Sequence, residues 1–265
     1  MIKINKVPCP SELTTQVKVT LTQDYKDNSK PVWRKKYIKE ALLLSSHNKC
    51  AFCECLLNKE SNYLEVEHFH HKDKYPNEVV DWDNLLPSCK RCNTSKGEYD
   101  TYINPFVNPS IMSPKDHMVL DNFLLRPVTL AGDNTIEELN LNDFDKLFSA
   151  RYSLSQVTIK GLENIYQLIL NYRENKTNRM LTKIVSSTQA ILNEGVETSP
   201  YSAIISTLIT NSTTFMIIKE FLIIEGKWDI ELHTKLTALE KNALSTDITL
   251  FKKYLLRNFQ QQSHY

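Results

Sequence analysis

Four cysteines in the N-terminal part of the chain have the spacing of a metal-binding site. Cys50 and Cys53 form one C-x2-C pair, and Cys89 and Cys92 form a second. Each pair makes a tight turn that directs two thiolates to a common point, and two such pairs complete a closed tetrahedral site. Zinc suits this site because it is soft enough for thiolates and has no redox chemistry. The spacing therefore predicts a structural zinc site.

The alternative is that these cysteines are unrelated buried thiols, because a free cysteine behaves as a small hydrophobic residue. Two matched pairs within one short region favour the metal site. Cys55 follows the first pair at the wrong step to bind the same ion, so we expect it to pack in the interior. Cys9 stands apart near the start of the chain and supports no functional assignment.

A second group of chemically active side chains lies in the 35 residues between the two cysteine pairs. From Leu64 the residues alternate as in a β-strand, with Val66 and His68 on one face and Glu67 on the other. A second short strand is expected over residues 84–88. The residues N-T-S after the second cysteine pair can cap the start of a helix. The order strand, loop, strand, helix is therefore predicted.

Residues 66 to 97 form a motif whose parts occur in a specific order. They contain V-E-H-F and then W-D-N-L-L-x-S-C-x-x-C-N-x-x-K-G. This motif resembles HNH endonucleases of the ββα-metal fold. It is most similar to the PtuB-like subgroup, the nuclease component of Septu anti-phage systems, which is also attached to some retrons. The match is close over about residues 47–100 and holds only in outline elsewhere. The resemblance implies an α+β fold, with a small zinc-stabilised module followed by a mainly α-helical C-terminal region.

The resemblance also implies a catalytic role for four residues of the motif. His68 is the general base that activates water, since the unperturbed pKa of histidine is about 6.5. Glu67 and Asn93 are the ligands of a catalytic cation, and their hard oxygen donors suit Mg²⁺ or Mn²⁺ rather than the thiolate-bound zinc. Asn84 fixes the loop and the imidazole of His68.

The chain departs from the pattern of the subgroup at position 71, where His replaces the expected Pro. His70 is expected on the same strand face as His68, where it contacts phosphate or acts as an alternative base. We favour His68 as the base because it directly follows the acidic ligand. Lys72 and Lys96 are further candidates for phosphate contacts, since lysine side chains bind the nucleic-acid backbone.

Composition and periodicity predict four segments along the chain. The first has an irregular arm up to about residue 30 and an amphipathic helix over 33–46, and the third has a short strand at 117–120. The last shows helical periodicity, and we expect it to dock a partner. The segments are an N-terminal arm and helix (1–46), the zinc-bound HNH nuclease module (47–105), a connector rich in Pro and Asn (106–139) and an α-helical domain (140–265).

Composition also excludes several classes of protein. The chain has five glycines and contains neither GxGxxG nor GxxxxGK[ST], so it carries no phosphate-binding loop of these types. Its net charge is +1, so contact with nucleic acid must come from a local site. The first residues lack the apolar stretch of a secretory signal, and no apolar run reaches the roughly 18 residues of a membrane span. We therefore expect a cytoplasmic protein without a membrane partner.

The leading hypothesis is a metal-dependent HNH endonuclease that hydrolyses phosphodiester bonds of nucleic acid, with DNA as the favoured substrate. The resemblance implies an effector nuclease of anti-phage defence that acts with a PtuA-like ATPase. For retron-associated members it also implies a reverse transcriptase and its msDNA. Two alternatives stay open: the substrate is RNA, such as a tRNA, or the chain is a zinc-stabilised interaction module whose nuclease site has decayed.

Overall fold

The structure is a computed structural model, and it describes residues 1–57 and 63–262. Over these residues the chain forms ten α-helices and two two-stranded β-sheets, which confirms the predicted α+β class. The chain divides into two compact units. The first unit contains Met1–Met118, Arg126–Leu141 and the chain from Phe251 onwards, and the second contains Val119–Leu125 and Asn142–Leu250.

The first unit contains a ββα arrangement. β1 (Leu64–His68) and β2 (Leu85–Cys89) are antiparallel, and His68 at the end of β1 pairs with Leu85 at the start of β2. α3 (Lys90–Lys96) follows β2 directly. Strand, loop, strand and helix therefore occur in the order that the sequence predicts.

A core cluster joins this sheet to the two N-terminal helices, α1 (Thr15–Asn28) and α2 (Lys36–Ser45). Val66 of β1, Leu85 of β2 and Ile38 of α2 are all buried in it. Fully burying an aliphatic side chain of this kind contributes about 1.5–3 kcal/mol. Since side chains alternate along a strand, this core fixes which face of β1 looks away from the N-terminal helices.

Three helix positions differ from the sequence-based predictions. α1 occupies residues that were expected to be irregular, and the side chain of Thr14 caps its first turn. α2 begins at Lys36 rather than at residue 33. α3 begins at Lys90, before the N-T-S segment, because Sγ of Cys89 accepts a hydrogen bond from the backbone N–H of Cys92 over 3.5 Å. A cysteine, and not a hydroxyl or amide side chain, therefore caps this helix.

The segment 106–139, which is predicted to be a loop-rich connector, contains a 3-10 turn (Pro114–Asp116), two β-strands and an α-helix. β3 (Met118–Asp121) lies at the predicted short strand, and β4 (Leu124–Pro127) follows it. α4 (Leu130–Glu138) comes next and is capped by the side chain of Thr129. Of the proline and asparagine residues of this segment, Asn122 lies in the turn between β3 and β4, whereas Pro127 lies in β4 and Asn134 in α4.

The second unit is a helical bundle, as the periodicity predicts. Apolar side chains at three- and four-residue steps form one buried core, which includes Leu162, Ile184 and Ile218. A turn of π-helix, Phe144–Phe148, comes directly before the first helix of the bundle. The helices are α5 (Ser149–Glu174), α6 (Asn178–Asn193), α7 (Ser202–Thr210), α8 (Thr213–Ile224) and α9 (Ile230–Asn242).

The last helix, α10 (Ile248–Gln262), belongs to the first unit from Phe251 onwards. The hydroxyl of Tyr254 donates a hydrogen bond to the carboxylate of Asp133 in α4 over 2.7 Å. The helical segment predicted after residue 140 is therefore shared between the two units.

No single helix among the described residues has the length and the apolar composition that are needed to cross a bilayer. Taken together, α7 and α8 have this length and apolar composition, but the two helices are bent by 67° at their junction. Most side chains of α7 are buried within the helical bundle.

Candidate active site and metal centre

The four predicted zinc ligands meet at one buried point. The Sγ atoms of Cys50, Cys53, Cys89 and Cys92 all lie within 4.8 Å of one another, and those of Cys53 and Cys89 are 3.7 Å apart. For a Zn–S distance of about 2.3 Å, the edge of a thiolate tetrahedron is about 3.8 Å. The residue types, the burial and the sulfur distances are therefore compatible with zinc.

Local backbone structure positions each pair of thiols. In the first pair, the N–H of Glu54 donates to the carbonyl of Cys50 over 3.0 Å, and the N–H of Cys50 donates to the carbonyl of Cys55 over 2.9 Å. Glu54 has a left-handed backbone with φ 64°, which closes the turn. In the second pair, Cys89 ends β2 and Cys92 lies in the first turn of α3.

Cys55 is buried beside this cluster but is not part of the four-sulfur set. Hydrogen bonding to neighbouring thiols, that of Cys50 first, raises the pKa of the Cys55 thiol, and burial acts in the same direction. A neutral buried thiol is the packing residue that the spacing predicts. Cys9 is exposed.

A buried ion-pair network braces the first cysteine turn, and sequence reasoning missed it. Oε1 of Glu54 lies 2.7 Å from the N-terminal ammonium of Met1, and Oε2 lies 3.2 Å from Nζ of Lys49. All three groups are at most 3% exposed. No short-range sequence pattern predicts this network, because Met1 is far from Glu54 along the chain.

Glu67 and Lys96 form a further buried ion pair in the first unit. Nζ of Lys96 lies 2.7 Å from Oε1 of Glu67, and it also donates to the carbonyl of His68 over 2.9 Å. Burial raises the pKa of Glu67 to about 7, and the charge of Lys96 opposes this shift. The phosphate contact predicted for Lys96 does not fit this geometry, because the ammonium of Lys96 is buried inside the protein.

Asn93 lies in α3, three residues before Lys96. Residues three positions apart share a face of an α-helix, and Lys96 reaches Glu67 from α3. The side chain of Asn93 is partly exposed. The C-N-x-x-K spacing could have revealed this relationship, because it puts the amide and the ammonium on one side of the helix.

His68 points to the opposite face of β1, into the core. It is 6% exposed, and its ring packs edge-on against Trp33 with centroids 4.8 Å apart. Its Nε2 lies 2.9 Å from the carbonyl oxygen of Val79. A carbonyl only accepts, so Nε2 carries the proton and Nδ1 keeps a lone pair. Burial lowers the pKa of His68 to about 4, so the imidazole is neutral at pH 7.

Asn84 ties together both ends of the loop that follows β1. Its Oδ1 accepts from the backbone N–H of His70 over 2.7 Å. Its Nδ2 donates to the carbonyls of His70 and Glu78 over 3.1 and 3.2 Å. Glu78 ends a 3-10 turn, Pro76–Glu78, that directly precedes Val79. The side chain of Asn84, which is predicted to fix this loop, therefore binds it through three hydrogen bonds. These bonds lie next to the carbonyl of Val79, which binds His68.

His70 and His71 lie beyond the end of β1, so His70 does not share a strand face with His68. The Nδ1 of His70 lies 2.8 Å from the hydroxyl oxygen of Thr101. The side chain of His71 is 12% exposed, and its Nδ1 has no hydrogen-bond partner in the described part of the chain. Lys72 is 27% exposed and is the one of the two candidate lysines that lies at the surface.

Comparison with known proteins identifies the class to which this site belongs. Residues 50–98, which span all of the candidate residues above, match the HNH endonuclease family. Together with the ββα arrangement and the four-cysteine cluster, this match defines a nuclease, a hydrolase of the HNH class. No solved structure gives a significant match.

The relatives give the family. The chain is 39% identical over 246 residues to Septu protein PtuB of Bacillus thuringiensis, which covers 92% of this chain and 95% of that protein. It is 35% identical over 104 residues to Septu protein PtuB of Bacillus mycoides strain KBAB4, which covers 32% of each chain. The chain belongs to the PtuB family of Septu proteins, and it is a nuclease of anti-phage defence.

Proposed function

We propose that this chain is a metal-dependent endonuclease that cleaves DNA, with His68 as general base and with Glu67 and Asn93 as ligands of the catalytic cation. The observation that supports it most is the divergence of two neighbours on β1. Glu67 faces α3, where it pairs with Lys96, and His68 faces the other way, toward Trp33. A base and a metal ligand on opposite sides of one strand end can act on opposite sides of one phosphate.

His68 would take the proton from the attacking water. The hydrogen bond from Nε2 to the carbonyl of Val79 sets the tautomer and leaves Nδ1 as the proton acceptor. The edge-on contact with Trp33 restrains the plane of the ring. Water attack on phosphorus then breaks the bond to the 3′ oxygen and leaves a 5′-phosphate and a 3′-hydroxyl.

Glu67 and Asn93 supply hard oxygen donors, so they fit Mg²⁺ or Mn²⁺. Such a cation, when bound, stabilises the negative charge that develops at the phosphate and on the departing oxygen. Lys96 pairs with Oε1 of Glu67, so Oε2 is the oxygen proposed for the cation. Asn84 supports the site by holding the loop that carries Glu78 and Val79.

We propose that the four-cysteine cluster binds zinc and that this ion holds the fold and takes no part in hydrolysis. The four thiolates close its coordination, whereas a catalytic zinc site keeps an open position. Cysteines stay unoxidised in a reducing compartment, so a cytoplasmic setting suits this site.

Cleavage of plasmid DNA with added Mg²⁺ or Mn²⁺ tests the proposal. His68→Ala is expected to lose cleavage, and His233→Ala, a change at an exposed histidine of α9, is the matched control. Equal cleavage by His68→Ala and the unmodified chain would remove His68 from the mechanism. No cleavage by the folded, unmodified chain with either cation would favour an interaction module. The same assay with tRNA in place of plasmid separates the RNA alternative.

We further propose that the nuclease acts with a PtuA-like ATPase that docks on the helical unit. The relatives are named as Septu proteins, and a net charge of +1 gives the chain little electrostatic attraction to nucleic acid. α8 carries the exposed apolar side chains Met216, Ile223 and Ile224, and such surfaces mark interaction sites.

Co-purification with the ATPase tests this docking surface. Ile224→Asp is expected to reduce recovery of the complex, because Ile224 is 82% exposed and would place a charge in an apolar contact. Ile230→Asp is the control, since Ile230 is 79% exposed but starts a different helix, α9. If Ile224→Asp binds the ATPase as well as the unmodified chain does, the docking surface does not include this face of α8.

A further inference from the structure

The segment after α3 places an exposed aromatic ring beside the candidate active site. Tyr102 is 56% exposed. Its ring stacks on the imidazole of His70, with centroids 3.6 Å apart and planes 11° from parallel. His70 follows the proposed base His68 by two residues, and its backbone is bound by the side chain of Asn84. The proposed hydrolysis uses neither the Tyr102 ring nor the His70 ring.

Hydrogen bonds hold both rings of this stack. The hydroxyl of Tyr102 donates to Oε1 of Glu78 over 2.6 Å. The hydroxyl of Thr101 donates to the carbonyl of Phe69 over 2.8 Å, so it accepts its bond from Nδ1 of His70. Because the two rings are already fixed, little side-chain entropy is lost when a third planar group packs on them.

The rim of the stack is acidic, which decides what kind of group it can receive. The ring of Tyr75 packs edge-on against Tyr102 at 4.6 Å, and its hydroxyl donates to Asp100 over 2.8 Å. Oδ2 of Asp100 also lies 3.6 Å from Nζ of Lys74. The carboxylate of Glu78 accepts the hydrogen bond from the hydroxyl of Tyr102. Carboxylates repel a phosphate group. The uncharged face of a nucleobase fits this surface, because every base has a π-face that stacks on aromatic side chains.

We propose that Tyr102 and His70 form a stacking platform for one nucleobase next to the scissile phosphate. The preferred substrate then has an unstacked base at this position, as in single-stranded or locally opened DNA. In an intact duplex both faces of each base are covered by its neighbours, and a protein ring reaches a base only after it is extruded. The inference rests on the proposed nuclease function and names its substrate class.

A binding experiment tests the contact between ring and base. Without added Mg²⁺ or Mn²⁺, dissociation constants of the full chain are measured for single-stranded DNA oligonucleotides that carry one abasic position, moved along the strand. Loss of the contacted base is expected to weaken binding roughly tenfold. Tyr102→Ala is expected to weaken binding of the intact oligonucleotide by the same factor. The two losses should not add, because the ring and the base are partners. Additive losses, or equal binding at every abasic position, would overturn the proposal.

Two further variants separate stacking from a structural role of Tyr102. Tyr102→Phe removes the hydrogen bond to Glu78 but keeps the ring, so it is expected to retain binding. Tyr63→Ala is the matched control, since Tyr63 is 69% exposed and precedes the start of β1, at the opposite end of the strand from His68. Weak binding by Tyr102→Phe as well as Tyr102→Ala would assign the effect to the lost hydrogen bond and would refute stacking.

Cleavage kinetics distinguish failure of this inference from failure of the proposed function. Tyr102→Ala is expected to raise KM for single-stranded DNA roughly tenfold with kcat retained, and to remove the preference over duplex DNA. If His68→Ala abolishes cleavage while Tyr102→Ala cleaves both substrates normally, the platform is refuted and the nuclease function stands. If His68→Ala cleaves normally, the proposed mechanism fails, and the abasic series still decides the platform.

Discussion

The ammonium of Lys96 lies 2.7 Å from Oε1 of Glu67, and both side chains are buried. The same ammonium donates a hydrogen bond to the carbonyl of His68 over 2.9 Å. One side chain of α3 thus holds the end of β1, where the acidic and imidazole side chains diverge. Two charges can stay out of water in this way only while they remain paired, because each has lost its hydration.

Replacement of Lys96 is therefore expected to destabilise the first unit. Lys96→Met should lower the free energy of unfolding by about 3–5 kcal/mol, since it leaves Glu67 buried without a cation. Denaturant unfolding followed by tryptophan fluorescence measures the difference. Lys72→Met is the control, because Lys72 pairs with the 59% exposed Asp73 and should cost less than about 1 kcal/mol. Equal losses in the two variants would contradict the assigned role of Lys96.

The zinc ligand set is tested by comparing two buried cysteines, one inside the four-sulfur cluster and one beside it. Cys92→Ser removes one of the four ligands and is expected to abolish zinc binding. It should also lower the melting temperature strongly, since structural zinc contributes on the order of 10 kcal/mol to folding in small domains. Cys55→Ser should keep its zinc, because Cys55 is buried outside the four-sulfur set. Elemental analysis of the purified variants measures the metal, and zinc loss from Cys55→Ser would show that the ligand set is misassigned.

DNA cleavage is expected to require added Mg²⁺ or Mn²⁺, whereas the bound zinc is expected to stay in the protein without them. Dialysis into buffer without divalent cations should abolish DNA cleavage while the zinc content stays unchanged, because four thiolates bind zinc far more tightly than two oxygen donors bind Mg²⁺. Addition of Mg²⁺ or Mn²⁺ should restore cleavage. Cleavage that persists without either cation, in protein that still contains zinc, would argue against a separate catalytic cation at Glu67 and Asn93.

Asn84 and Asn93 are expected to respond differently to the same substitution. Asn84→Asp replaces an amide donor by an oxygen that faces the carbonyls of His70 and Glu78. It should cost about 2–3 kcal/mol of stability and most of the activity. Asn93→Asp changes a partly exposed side chain and keeps an oxygen donor, so its stability should stay unchanged. Thermal unfolding of both variants measures the contrast, and an equal loss in the two would mean that Asn84 does not hold the loop.

Sequence reasoning succeeded where the relevant geometry is local. The C-x2-C spacing predicts two tight thiol turns, and Cys50, Cys53, Cys89 and Cys92 do converge. The alternation of Glu67 and His68 follows from the pleat of any strand. The start of α3 was predicted too late, because a cysteine in the Ncap position is not a typical capping signal. α1 was missed because its apolar pattern is weak and Tyr25 is its only buried side chain.

The sequence by itself determined the residue types of the two sites, the order of strands and helix, and the α+β class. Only the tertiary structure decided which atoms face one another. Lys96 is buried against Glu67 and not exposed to a phosphate, the carbonyl of Val79 sets the tautomer of His68, and Tyr102 folds back onto His70. The physical reason is that these contacts join residues from separate elements. Their burial and hydrogen bonds depend on the packing of the whole first unit, which local patterns do not encode.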